Sequence, residues 1–132
     1  MKKYILDTHI VLWMTSSPSK LTEKVKQILL SDAIKCVSIA SAWEIAIKLG
    51  KNKQGKVVLD LPGGLPEFYK MLDINEFLTL PVQRSYLLHL PTLPPFHKDP
   101  FDRLIISTAI SEELTLITAD EDMQKYDIPW IW

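Results

Sequence analysis

Four acidic residues, Asp7, Glu44, Asp102 and Asp120, fall where an α/β chain can bring carboxylates together. Asp7 directly follows the β-type run Lys3-Tyr4-Ile5-Leu6, and Asp120 follows Leu114-Thr115-Leu116-Ile117-Thr118 at an interval of two. Glu44 and Asp102 lie within the first two turns of helical segments that begin near the same edge. Ligands of open α/β sheets bind beyond the carboxyl ends of the strands, so acids from four distant segments can converge on one rim. Crowded carboxylates repel one another strongly unless a cation sits among them. Carboxylate oxygens without a Cys or His cluster favour a hard ion, Mg²⁺ or Mn²⁺.

Each acid also has a purely structural reading. Asp7 and Asp120 can cap the helices that follow them, and Glu121-Asp122 can be an exposed acidic turn. Glu44 shares a polar helical stripe with Ser41, Lys48 and Lys51 and forms an i,i+4 pair with Lys48, which reads as a solvated surface residue. Asp99 before Pro100 is the expected start of a helix. Asp102 is different, because it shares a stripe with Ile105, Ile106 and Ala109 and points towards apolar surroundings. A charge buried there needs a partner, a proton or a metal.

The elements that must position these residues alternate along the chain. His9–Met14 is apolar enough for a buried helix, broken at Thr15-Ser16-Ser17-Pro18. Leu21, Val25, Ile28 and Leu29 mark a surface helix between Ser19 and Asp32. A strand over Ile34–Ser38 runs into a helix over Ile39–Leu49 that Gly50 ends, and Lys51–Gly64 is a loop with three glycines. Leu65–Leu72 and Val82–Leu90 read as helices and Phe77–Leu80 as a strand. Pro91–Pro95 is expected to be an extended connector. Asp99-Pro100 opens a long helix to about Glu113, followed by a fourth strand, a turn or helix over Asp120–Tyr126 and a terminal strand over Pro129–Trp132. Alternating strands and helices imply right-handed crossovers, hence a three-layer α/β/α sandwich around a mostly parallel five-stranded sheet.

With 132 residues, the chain is expected to be a single domain over 1–132. Fifteen Lys and Arg against sixteen Asp and Glu argue against nucleic-acid binding by bulk positive charge, though not against a local basic strip. Lys48, Lys51, Lys53 and Lys56 form such a strip, with no acid between Ile45 and Leu59, and are candidates for phosphate contacts as much as for an ordinary solvated loop. The single cysteine, Cys36, lies in an apolar run and reads as a buried thiol, which suits a reducing, cytoplasmic setting. Asp7 and His9 interrupt the apolar N-terminal run, and no stretch is long enough for a membrane span.

Four segments taken in order, Leu6-Asp7-Thr8-His9, Ser41-Ala42-Trp43-Glu44-Ile45-Ala46-Ile47-Lys48, His97-Lys98-Asp99-Pro100-Phe101-Asp102-Arg103-Leu104-Ile105 and Thr118-Ala119-Asp120, resemble the PIN-domain ribonucleases. Within that family the resemblance is to the VapC-type toxins of bacterial toxin-antitoxin systems, and it runs from about Lys3 to Trp132. It implies a PIN-like fold and an acidic metal centre of Asp7, Glu44, Asp102 and Asp120, with Asp7 and Asp102 as inner ligands. This replaces the solvated reading of Glu44. Asp99 is then a helix cap or outer acid, Asp122 an auxiliary candidate, and Thr8 and Thr118 hydrogen-bond partners of a carboxylate or of a metal-bound water. His9 and His97 are expected to pack or to face substrate, not to ligate.

The resemblance further implies Mg²⁺- or Mn²⁺-dependent endonucleolytic cleavage of RNA by a metal-activated water, leaving a 5′-phosphate. It implies a small antitoxin seated in a groove between helices, for which Trp13, Met14, Leu29 and Leu30 are candidates, and a homodimer. Two other classes compete. A phosphotransfer domain also gathers Asp residues at strand ends around Mg²⁺, but a haloacid dehalogenase-like motif needs Asp where His9 stands. A receiver-like domain needs Asp after the third strand, where Pro81-Val82-Gln83 stands. The other is a non-catalytic RNA- or protein-binding module of the same fold, against which all four acids speak.

Overall fold

The computed structural model describes residues 2–132. Five strands, β1 (Lys3–Leu6), β2 (Ile34–Ser38), β3 (Leu78–Leu80), β4 (Thr115–Ile117) and β5 (Trp130–Ile131), form one sheet in the order β3-β2-β1-β4-β5. All four pairings are parallel, with Ile5 opposite both Cys36 and Leu116. Seven α-helices complete the chain: α1 (Thr8–Ser16), α2 (Glu23–Leu30), α3 (Ile39–Leu49), α4 (Gly64–Ile74), α5 (Arg84–Leu87), α6 (Pro100–Glu112) and α7 (Glu121–Gln124). This is the expected α/β sandwich, with the sheet parallel throughout.

The period-2 alternation of strands sorts the core into two layers. Tyr4, Leu6, Val37 and Ile117 face one side, where Ile10 and Val11 of α1, Val25 of α2 and Phe68 and Leu72 of α4 cover them. Ile5, Cys36 and Leu116 face the other, against Ile105, Ile106 and Ala109 of α6 and Met123 of α7. Cys36 is a free, buried thiol, and its burial raises its pKa to about 11.

Several elements differ from expectation at their ends. The helix expected between Ser19 and Asp32 is divided into a 3₁₀ turn, Pro18–Lys20, and α2, whose N-terminus is capped by the Thr22 hydroxyl accepting from the Val25 amide. The helix expected over Val82–Leu90 forms only as α5, and the connector expected to be extended begins as a 3₁₀ turn, Leu90–Thr92. Pro91 sits at the start of that turn, where its missing N–H costs nothing. The loop before α4 ends in Gly63 and Gly64 with φ of 77° and 63°. A Cβ at Gly63 would lie 2.1 Å from Glu67 Cγ, so both backbone angle and space require glycine there.

Candidate metal centre

Strand order reverses around β1, whose neighbours β2 and β4 lie far apart in sequence. The crevice beyond the carboxyl ends at such a switch point is where α/β sheets take ligands. Asp7 leaves β1 there, with its amide donating to the Ile117 carbonyl at 3.1 Å to extend the ladder by one step. Its Oδ1 caps α1, accepting from the Ile10 amide at 3.1 Å, and its Oδ2 accepts from the Thr118 hydroxyl. The capping role and the place in the crevice are therefore combined in one side chain, only 1% exposed. Burial raises the Asp7 pKa, against the lowering effect of the hydrogen bonds from Thr118 and Ile10.

Glu44 reaches the rim from the second turn of α3, which starts where the Ser38 hydroxyl accepts from the Ala40 amide. The polar-stripe reading fails for Glu44, which is buried. The i,i+4 pair does form: Lys48 Nζ donates to Oε2 at 2.9 Å, which ties Lys48 to this acid. The other oxygen, Oε1, is buried without a hydrogen-bond partner. The Thr8 hydroxyl, a candidate partner of a carboxylate or a metal-bound water, donates to Ser41 at 2.9 Å, joining α1 to α3 beside the two acids. Ser41 is fully buried, so its polar stripe on α3 is not a solvated surface.

Asp102 enters from the first turn of α6. Asp99 caps that helix, accepting from the amides of Phe101 and Asp102 at 2.9 and 3.0 Å. Asp102 itself is buried, and its pKa is pushed up to about 8, first by burial and then by the charges of Asp99, Asp7, Glu44 and Asp120. That coupling places the four expected acids, with Asp99, in one electrostatic neighbourhood.

Asp120 caps α7 through Oδ1, accepting from the amides of Asp122 and Met123. Thr118 accepts from the Asp120 amide at 3.0 Å, so one hydroxyl links the acids after β1 and β4. Asp122 turns to solvent in an ion pair with Lys125 at 3.0 Å. A cavity of about 170 Å³ is lined by Asp7, His9, Trp13, Ala119 and Asp120.

The acids are gathered without being closed into a cage. Among the described residues, no group of three or more His, Cys, Asp or Glu side chains stands ready to hold an ion. Each acid instead gives an oxygen to a protein donor or, for Asp102, faces an imidazole, the arrangement that like charges adopt to reduce mutual repulsion. The donor set nevertheless fits a hard divalent cation: every acid is a carboxylate, and Glu44 Oε1 is left unpartnered in a buried position. Lys51, Lys53 and Lys56 are exposed on the neighbouring loop, which is closed by a bridge between Lys51 and Val57.

The PIN domain family model matches residues 4–129. Ribonuclease VapC22 of Mycobacterium tuberculosis is 24% identical over 130 residues, which cover 98% of this chain and 95% of that protein. The fold is similar to that of VapBC2 from Rickettsia felis bound to a promoter DNA fragment, with TM-score 0.69 at 17% identity over 97% of this chain and 96% of that one. It is also similar to that of DNA-bound VapBC from Salmonella typhimurium, with TM-score 0.67 at 15% identity over 99% and 98%.

Proposed function

Because the chain belongs to the PIN domain family, we propose that it is a divalent-metal-dependent endoribonuclease and the toxin of a toxin-antitoxin pair. The observation that carries the reading is the burial of Asp7, Glu44 and Asp102, 1%, 5% and 6% exposed, around one sheet edge, where Lys48 is ion-paired with Glu44. Burying carboxylates without matching cations costs roughly several kcal/mol, and that cost is recovered when a cation binds. The similarity to ribonuclease VapC22 supports RNA as the substrate.

In this reading Asp7, Glu44, Asp102 and Asp120 hold Mg²⁺ or Mn²⁺, with Asp99 as cap and Asp122 outside the site. The bound ion supplies an acidified water and neutralises charge that develops on the phosphate oxygens. Thr118 and the Ile10 amide fix the orientation of the Asp7 carboxylate before substrate arrives. Lys48 holds one oxygen of Glu44 and leaves the other facing inward. Lys51, Lys53 and Lys56 contact backbone phosphates flanking the cut, as point charges on a loop.

The antitoxin segment occupies the apolar cavity of about 330 Å³ between α1, α2 and α4, which Met14, Leu21, Leu29, Leu30, Met71 and Phe77 line. Trp13 stands apart from it, beside Asp7 and Asp120. A second copy of the chain covers the exposed Trp43 and Ile47, one turn apart on α3. The chain acts in the cytoplasm; among the described residues no helix is long and apolar enough to cross a membrane.

The test is cleavage of RNA with Mg²⁺ or Mn²⁺ by the wild type, Asp7→Asn and Asp102→Asn. Cleavage by the wild type and its loss, by 100-fold or more as an order of magnitude, in both variants are expected. A wild type that cuts no RNA, or variants that cut as well, overturns the assignment. Growth arrest on expression, relieved by Asp7→Asn and by co-expression of a small partner protein, separates a toxin from a housekeeping nuclease.

A further inference from the structure

The reading of Asp102 as a metal ligand is the premise here, and what surrounds Asp102 goes beyond it. Its neighbour in sequence, Arg103, sends its guanidinium back to the connector that precedes α6. Nη1 donates to the Pro94 carbonyl at 2.9 Å, and Nη2 to the carbonyls of Leu93 and Leu90 at 3.3 and 3.4 Å. The connector contains Pro91, Pro94 and Pro95, which remove three amide donors; the Leu90 and Pro94 carbonyls still accept from the Leu93 and Phe96 amides, and Arg103 adds a donor to both and to the Leu93 carbonyl. The connector leads directly to His97, and its path is therefore tied to the residue next to Asp102.

Arg103 Nη1 also donates to the Tyr126 hydroxyl at 2.9 Å. Arginine cannot accept, so the phenol oxygen is the acceptor in that bond. Tyr126 is buried, 3% exposed, and its O–H needs an acceptor of its own. The acceptor within reach is His97 Nδ1, at 3.0 Å. Nδ1 then presents its lone pair, and the neutral ring carries its proton on Nε2. Phe96 and His97 both pack edge-on against the Tyr126 ring, at 4.9 and 5.5 Å between centroids, which fixes the plane of the imidazole. Nε2 stands 3.4 Å from Asp102 Oδ2 without closing a hydrogen bond and has no partner among the described residues; Asp102 is buried and the His97 side chain is 11% exposed.

We propose that His97 is a positioning residue for the metal centre: Arg103 and Tyr126 hold it as the Nε2–H tautomer, and that N–H orients the Asp102 carboxylate by donating to Oδ2. A single donor on one oxygen leaves Oδ1 to turn towards the other acids. Outer partners of this kind set ligand orientation, and their loss typically costs 10- to 100-fold, as an order of magnitude, in metal affinity or activity.

Two measurements test it. Nitrogen NMR of the metal-free wild type at pH 9.5 is expected to show His97 protonated on Nε2 alone, and to lose that single-tautomer signature in Tyr126→Phe. An Nδ1–H or doubly protonated ring in the wild type overturns the proposal. Calorimetric titration with Mn²⁺ is expected to give affinities about tenfold weaker for Tyr126→Phe and His97→Ala. The double variant should be no weaker than His97→Ala. His97→Gln, whose amide can stand where Nε2 stands, should bind more tightly than His97→Ala, which a merely structural role for the ring does not produce. With Asp102→Asn weakened, unchanged affinity in either Tyr126→Phe or His97→Ala overturns the proposal and leaves the metal centre standing. Unchanged affinity in Asp102→Asn overturns both.

Discussion

Thr118 donates its hydroxyl to the carboxylate of Asp7 across 111 residues of chain, and both side chains are buried. The bond joins the ends of β1 and β4 on the crevice side of the sheet, and the same hydroxyl receives the Asp120 amide. Removing the hydroxyl while keeping the side-chain shape leaves a buried carboxylate oxygen without its donor. Thr118→Val is therefore expected to lower stability by about 1–3 kcal/mol, seen as a lower urea midpoint with an unchanged slope. Thr118→Ser should recover most of it. A Thr118→Val protein as stable as the wild type removes this bond from the account of the site.

Lys51, Lys53 and Lys56 are exposed, whereas Lys48 is held by Glu44. If the three exposed lysines each neutralise a phosphate of single-stranded RNA, the slope of log affinity against log salt carries about 0.7 for each. The triple substitution to Gln should then reduce that slope by about 2, while Lys48→Gln changes it little. An unchanged slope in the triple variant places RNA elsewhere on the surface.

Much of this arrangement was legible in the sequence because it depends on local pattern. The β-type run before Asp7, the Asp99-Pro100 helix start and the Ile105, Ile106, Ala109 stripe beside Asp102 each rest on a few adjacent residues, and the structure keeps all three. The burial of Glu44 was not legible that way, since its wheel neighbours Ser41 and Lys48 are polar. Ser41 is polar because it bonds Thr8, and Lys48 because it bonds Glu44 itself, so the stripe is polar and buried at once. The bonds of Arg103 and Tyr126 around His97, a residue expected to pack or to face substrate, were not legible for a related reason. Their contacts span 23 and 29 residues, and the one local signal was a proline-rich connector short of amide donors.

Cys36 packs under α6, and burial raises its thiol to about 11. The thiolate is the reactive form, so at pH 8 the native protein should react with a disulfide reagent far more slowly than the urea-unfolded chain, whose thiol titrates at roughly 8.5. The native rate should follow unfolding and fall when Mn²⁺ is added. Labelling of the native protein as fast as the unfolded chain shows that the layer over Cys36 opens.

Asp102 carries a pH dependence whose sign follows from its raised pKa. In the metal-free fold its carboxyl titrates at about 8, mainly because it is buried and then because Asp99, Asp7, Glu44 and Asp120 repel its charge. In the unfolded chain an Asp releases its proton near 3.9, so between roughly pH 4 and pH 8 the folded state binds a proton that the unfolded state does not. Stability in chelator is therefore greatest below about pH 4 in this group's contribution and is lost as pH rises to about 8. Asp102→Asn removes the charge and keeps the shape. At pH 8 in chelator the variant should be more stable than the wild type, by on the order of 2 kcal/mol or more, and the two should converge at pH 4.5. Adding Mn²⁺ should reverse the order, because the ion stabilises the folded wild type and has lost a ligand in the variant. Parallel stability curves for the two proteins from pH 4.5 to 8 would show that the Asp102 charge is not strained in the metal-free fold.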